Sequence, residues 1–193
     1  MSEWLTGKMV EHGIIEKDEQ EIYQYGIRNG LIILLNLVTT FLIGAFTDRL
    51  ALVFVFTLFF MTLRSYTGGY HSDSRILCYI GSSLLLFIPI YTQNLFSMMP
   101  GVVVILTLAA AVVIILILSP MHSKNRKLDE EEQKHFGAKA KIIVLIQTTI
   151  FCILWRLDIP AYAYAIYSNI CMTAIFMLIG KIQLQIQKNM EEE

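Results

Sequence analysis

"GVVVILTLAAAVVIILIL", Gly101–Leu118, carries no charged residue. An uncharged apolar run of this length reads as a membrane-spanning helix, since about 20 residues rising ~1.5 Å each cross a ~30 Å hydrocarbon core. Working outward in both directions, similar runs recur over 27–46, 50–66, 76–92, 141–157 and 160–180. With 101–118 they predict an all-α, polytopic integral membrane protein of about six transmembrane helices, preceded by an N-terminal amphipathic segment. Composition agrees: 55% of the 193 residues are hydrophobic and 16% charged, too little charge to coat a soluble domain. A net charge of -1 gives no basic surface for a nucleic-acid partner, so the expected surroundings are a lipid bilayer. The first apolar run follows about 26 mostly polar residues and has no clear small-residue cleavage site, unlike a cleaved signal peptide.

The breaks between runs are short. Thr47-Asp48-Arg49 leaves room only for a tight helical hairpin, and Asp158-Ile159-Pro160 places proline at a helix start. Gln93-Asn94 through Pro100-Gly101 separates the third run from the fourth. Thirteen of the fifteen Lys and Arg residues fall on one side of this layout, leaving Arg49 and Arg156 on the other. The positive-inside rule then puts both termini in the cytoplasm. One membrane domain is expected over 1–193: a cytoplasmic arm at 1–26, six spans within 27–180, a loop at 64–78 and another at 119–141, and a tail at 181–193. In the arm, Trp4, Leu5, Lys8 and Met9 suggest an amphipathic turn that rests on the membrane, interrupted at Gly13. Asp18 with Glu21 resembles a capping pair for the helix that follows. The arm is either an anchoring collar or a substrate contact.

The loop at 64–78 concentrates the chemistry. "RSYTGGYHSDSRILCYI", Arg64 to Ile80, holds two arginines, a Gly-Gly pair, a histidine, an aspartate and a cysteine. A cysteine nucleophile acts as thiolate, and a nearby imidazole can take its proton. On a continuous helix His71 and Cys78 would stand roughly 10 Å apart. Gly68-Gly69 permits backbone angles closed to other residues, and Ser72, Asp73 and Ser74 are good N-caps. His71 can therefore fold back over the first turns of the helix that carries Cys78. A cysteine near a helix start is usually structural and a loop histidine usually solvated, so spacing alone leaves the dyad open. Asp73 either orients His71 or caps the helix, the cap being the simpler role. Arg64 is either a positive-inside anchor or a holder of a substrate carboxylate or oxyanion.

The other cysteines, Cys152 and Cys171, lie inside apolar runs, and three cysteines without close spacing make neither a disulfide framework nor a zinc site. His12, His122 and His135 lack ligand partners at useful spacing. No H-E-x-x-H, G-x-S-x-G or Walker loop occurs. No metal and no cofactor are expected.

These residues resemble the AgrB family of bacterial integral-membrane cysteine endopeptidases that process quorum-sensing propeptides. The resemblance rests on Arg64, Gly68-Gly69, His71 and Cys78, with seven residues from Arg64 to His71 and seven more to Cys78. Tyr25-Gly26, Ser119-Pro120 and Lys124-Asn125-Arg126 reinforce it. It implies Cys78 as nucleophile and His71 as its base. The substrate it implies is an AgrD-like propeptide that loses its C-terminal part. The remainder, held as a thioester, cyclises to a thiolactone or lactone. The resemblance also carries an association with homodimers, for which no apolar run specifies an interface. It places the chain in a bacterial cell membrane, and the charge layout puts the loop at 64–78 on the cytoplasmic side. Two rival readings are a small peptide exporter and a membrane scaffold without proteolytic activity. Against the exporter, the spans hold few of the interior charges that mark a substrate pathway.

Overall fold

The structure, a computed structural model, describes residues 2–69, 75–121 and 129–191, with Ser2, Arg75, Cys78, Gln187, Lys188 and Glu191 described by their backbone alone. Among the described residues the regular structure is all helical: α1 (Ser2–Glu11), α2 (Gln20–Phe46), α3 (Leu50–Thr67), α4 (Arg75–Leu85), α5 (Phe87–Met98), α6 (Gly101–Leu118), α7 (Glu130–Arg156) and α8 (Pro160–Glu191). Five of them, α2, α3, α6, α7 and α8, are long and apolar enough to cross a membrane.

The expected third span, 76–92, is two helices instead of one. Pro89 has no N–H to give the Leu85 carbonyl, and the ladder breaks at Leu86, leaving Pro89 in the first turn of α5. At ~1.5 Å per residue each piece is roughly 17 Å long, about half the hydrocarbon thickness. The other boundaries shift outward. Helix α2 begins at Gln20 inside the expected arm, and α8 runs through the expected tail to Glu191. Asp18 does not cap α2. Glu19 is the N-cap residue, makes no side-chain cap, and instead accepts a bond from the Glu16 N–H at 3.3 Å. The loop at 119–141 is helical from Glu130. Asp129 caps α7 by accepting from the Glu132 N–H at 2.7 Å, and Glu130, Glu131 and Glu132 complement the positive helix end.

Three helix ends close in the same way. After α1, α2 and α7 a residue with positive φ (Gly13, 66°; Asp48, 52°; Asp158, 56°) turns the chain. Paired backbone bonds follow: Ile14 to Met9 and Gly13 to Val10, Arg49 to Gly44 and Asp48 to Ala45, Ile159 to Leu154 and Asp158 to Trp155. These are Schellman caps, and aspartate tolerates the left-handed position better than most residues. They make the two hairpins expected at 47–49 and 158–160. Gly44 lets α2 and α3 close tightly, since a Cβ there would lie 2.9 Å from Leu50 Cα.

Helix α8 is the centre of the bundle, with α3, α5, α6 and α7 packed around it. Every residue from Ala163 to Ile170 is buried. Its small residues, among them Ala163, Ala165, Ser168 and Ala174, let neighbours approach closely. Phe96, Phe151, Trp155, Tyr164 and Tyr167 form one connected aromatic cluster beside it. Polar bonds fix the register. Asn169 donates to Gln147 Oε1 at 2.7 Å, and Gln147 donates to the Phe59 carbonyl at 2.9 Å, tying α8, α7 and α3 together. Interhelical bonds of this kind contribute about 0.6–2 kcal/mol each. Helix α2 lies at the rim, with Leu34, Leu37, Val38 and Phe41 exposed, which suits a lipid-facing helix.

Candidate active site

Four segments meet at the end of the bundle where α3 stops. Gly68 ends α3 with φ 68° and ψ -151°, and Gly69 follows at φ 116°. Side chains rarely adopt such backbone angles. Space forbids them too. A Cβ on Gly68 would lie 2.5 Å from the Met121 carbonyl oxygen, and one on Gly69 would run into the Arg64 guanidinium and lie 3.3 Å from the Phe176 carbonyl.

Those neighbours pin the turn. The Met121 N–H donates to the Thr67 carbonyl at 2.9 Å, so the strap leaving α6 binds the end of α3. That strap contains a cis Ser119-Pro120 bond. Gly137 of α7 receives Pro120 so closely that a Cβ there would stand 2.9 Å from its ring. Arg64 donates through Nη1 to the Gly68 carbonyl. Its guanidinium carbon sits 5.5 Å from the centre of the Phe176 ring, a cation–π geometry. Tyr66 packs on Phe136 of α7 at 5.7 Å, with Lys139 Nζ 5.4 Å from the Tyr66 ring centre. The start of the loop is thereby held by α6, α7 and α8 together.

Of the candidate residues, Arg64, Gly68 and Gly69 are brought into direct contact. His71 and Asp73 lie outside the described residues, as does the side chain of Cys78. The backbone of Cys78 falls in the first turn of α4, which begins at Arg75. Cys152 is exposed on α7 and Cys171 partly buried on α8. His12 bonds the Lys8 carbonyl at 2.8 Å and His135 packs edge-on against Phe136. Among the described residues no three His, Cys, Asp or Glu side chains gather as a metal set would.

Phe176 and Met121 escaped the reading of the sequence. Phe176 is one apolar residue among many in its run, and nothing local marks it as the partner of an arginine over a hundred positions earlier. Met121 directly follows the Ser119-Pro120 pair noted in the sequence, which was the available signal.

The fold and this end of the bundle define a multi-pass, all-helical membrane protein. The chain belongs to the accessory gene regulator B (AgrB) family, whose model matches residues 2–186. A relative from Clostridium perfringens (strain SM101 / Type A), named AgrB-like, is 25% identical over 191 residues, covering 93% of this chain and 86% of the relative. No solved structure matches the chain. Family membership supports a role in processing quorum-sensing peptides.

Proposed function

We propose that this chain is a cysteine endopeptidase that cleaves the C-terminal part from an AgrD-like propeptide and cyclises what remains. The observation that carries the reading is the pinned Gly68-Gly69 turn. His71 follows it two residues later in the sequence, and α4, which begins at Arg75, carries Cys78 in its first turn. In this mechanism the Cys78 thiolate attacks a backbone carbonyl, and His71, having taken the thiol proton, returns it to the leaving amine. The C–N bond breaks, the C-terminal fragment departs, and the acyl part stays as a thioester on Cys78. An internal thiol or hydroxyl of the peptide then attacks the thioester and regenerates the Cys78 thiol. One activated ester becomes another in thiolactone formation, so no ATP is required. Water excluded from the thioester keeps the product cyclic. The uneven distribution of Lys and Arg supports a site on the cytoplasmic face of the membrane.

The test is a propeptide whose ring-closing Cys or Ser is changed to Ala, co-expressed with the protein. An adduct of enzyme plus the N-terminal part of the peptide should accumulate, be visible by mass, and discharge with hydroxylamine. Uncleaved peptide with no adduct at any time overturns the covalent route.

Arg64 acts in this reading as a positioning residue. Its guanidinium faces the Gly68 carbonyl and Phe176, which favours holding the loop over binding a substrate carboxylate. A lysine keeps the charge but lacks the planar fork that serves both partners. Arg64→Lys should lower kcat about 10-fold or more with KM little changed, consistent with one charge-assisted hydrogen bond. A rise in KM with kcat preserved would instead mark a substrate contact.

A further inference from the structure

Helix α4, which carries Cys78, is held loosely by burial. None of its described side chains is buried, and Ile76, Leu77, Ile80 and Leu84 are exposed, as suits a helix against lipid. Lipid and protein interior are equally apolar, so those side chains do not choose which way the helix turns about its axis. An apolar grip lies at the far end, where Leu85 packs against the core of Leu52, Val53 and Phe56. Leu85 comes seven residues after Cys78, roughly 10 Å along the axis. The near end needs a restraint of its own.

The structure supplies one at the residue after Cys78. The Tyr79 hydroxyl meets Thr39 Oγ1 of α2 at 2.7 Å, and the Tyr79 ring is half-buried. The same pairing recurs where Thr107 meets Tyr167 at 2.7 Å and where Thr92 meets Tyr164. Those bonds tie α6 and α5 to the central helix. Both tyrosines there are buried in the aromatic cluster, where packing already sets the register. The Thr39–Tyr79 pair acts where packing does not. In apolar surroundings neither hydroxyl finds water as a substitute partner, so the bond favours one rotation of α4 against α2. Adjacent helix residues differ by about 100° and ~1.5 Å, so fixing Tyr79 fixes the backbone of Cys78. A turn of α4 by ~30° carries a Cα, about 2.3 Å from the axis, through roughly 1.2 Å.

We propose that Tyr79, through its bond to Thr39, is a positioning residue for Cys78. The hydroxyl pair holds the first turns of α4, and so the Cys78 backbone, in the rotation that cleavage requires. This role rests on the peptidase reading above, and it makes the rim helix α2 part of the support of the site. Displacing a reacting group by about 1 Å costs on the order of 10²-fold. A helix freed of the bond still visits the right rotation part of the time, so the loss is smaller than that. It falls on kcat, because substrate binding is not touched.

The test measures release of the propeptide's C-terminal fragment by full-length protein in membrane vesicles, normalised to abundance. Tyr79→Phe and Thr39→Val each delete one hydroxyl and keep the shape of the side chain. Each should lower kcat about 10-fold with KM little changed, and the double variant should fall no further, because both remove the same bond. Thr39→Ser keeps the hydroxyl and should retain kcat. Tyr167→Phe removes the like bond to Thr107, away from α4, and should retain it too. Loss at Tyr79→Phe but not at Thr39→Val would give the tyrosine hydroxyl a role of its own and overturn the tie. Full kcat in both variants, or an equal loss of kcat in Tyr167→Phe, overturns it as well while leaving the peptidase intact. No fragment from the unsubstituted protein refutes the peptidase reading, and the positioning role with it.

Discussion

With Cys78→Ala, release of the propeptide's C-terminal fragment should fall by more than about 10³-fold, the scale seen when a covalent nucleophile is removed. The amount of protein in the membrane should stay unchanged. Cys78 sits in the first turn of an eleven-residue helix, and alanine is the strongest helix former, so the backbone there is kept. Cys152→Ala and Cys171→Ala should retain most activity. Cys152 is exposed on α7 and Cys171 lies on the central helix, inside the expected spans. Fragment release is read by mass spectrometry and abundance by immunoblot of membranes. Continued release by Cys78→Ala ends the proposal.

The two loop glycines should respond differently to valine. Both have positive φ, where a Cβ costs on the order of 1–2 kcal/mol. At Gly68 the added atom also meets the Met121 carbonyl at 2.5 Å. That oxygen belongs to backbone held by the Met121–Thr67 bond, so it has nowhere to go. Gly68→Val should therefore lower abundance and activity together. At Gly69 the nearest obstacle is the end of the Arg64 side chain, which can swing aside. The protein survives, but the Arg64–Gly68 bond is lost and the segment leading to His71 shifts. A displacement of about 1 Å in a reacting group costs on the order of 10²-fold. Gly69→Val should show that loss with abundance within about twofold. Equal loss of both quantities at Gly69 would assign the residue to packing.

Much of this was legible in the chain because its causes are local. Gly101–Leu118 is a spanning helix by length and lack of charge. The hairpins at Asp48 and Asp158 follow from short polar breaks, and the Gly-Gly turn from two residues without a Cβ. Pro89 also lay in plain view. A proline is tolerated within a spanning segment when neighbours satisfy the freed carbonyl, so its presence did not decide between one kinked span and two short helices.

The sequence by itself determined the class: a helical membrane protein with its reactive side chains on one loop, since hydrocarbon thickness and charge placement act on each segment separately. Only the tertiary structure decided which helix lies at the centre. Lipid and protein interior are equally apolar, so α2 and α8 read alike while one is at the rim and the other buried. It alone set Phe176 and Met121 against the loop, because those contacts join residues distant in the chain. No local propensity encodes them; they exist once the helices have packed.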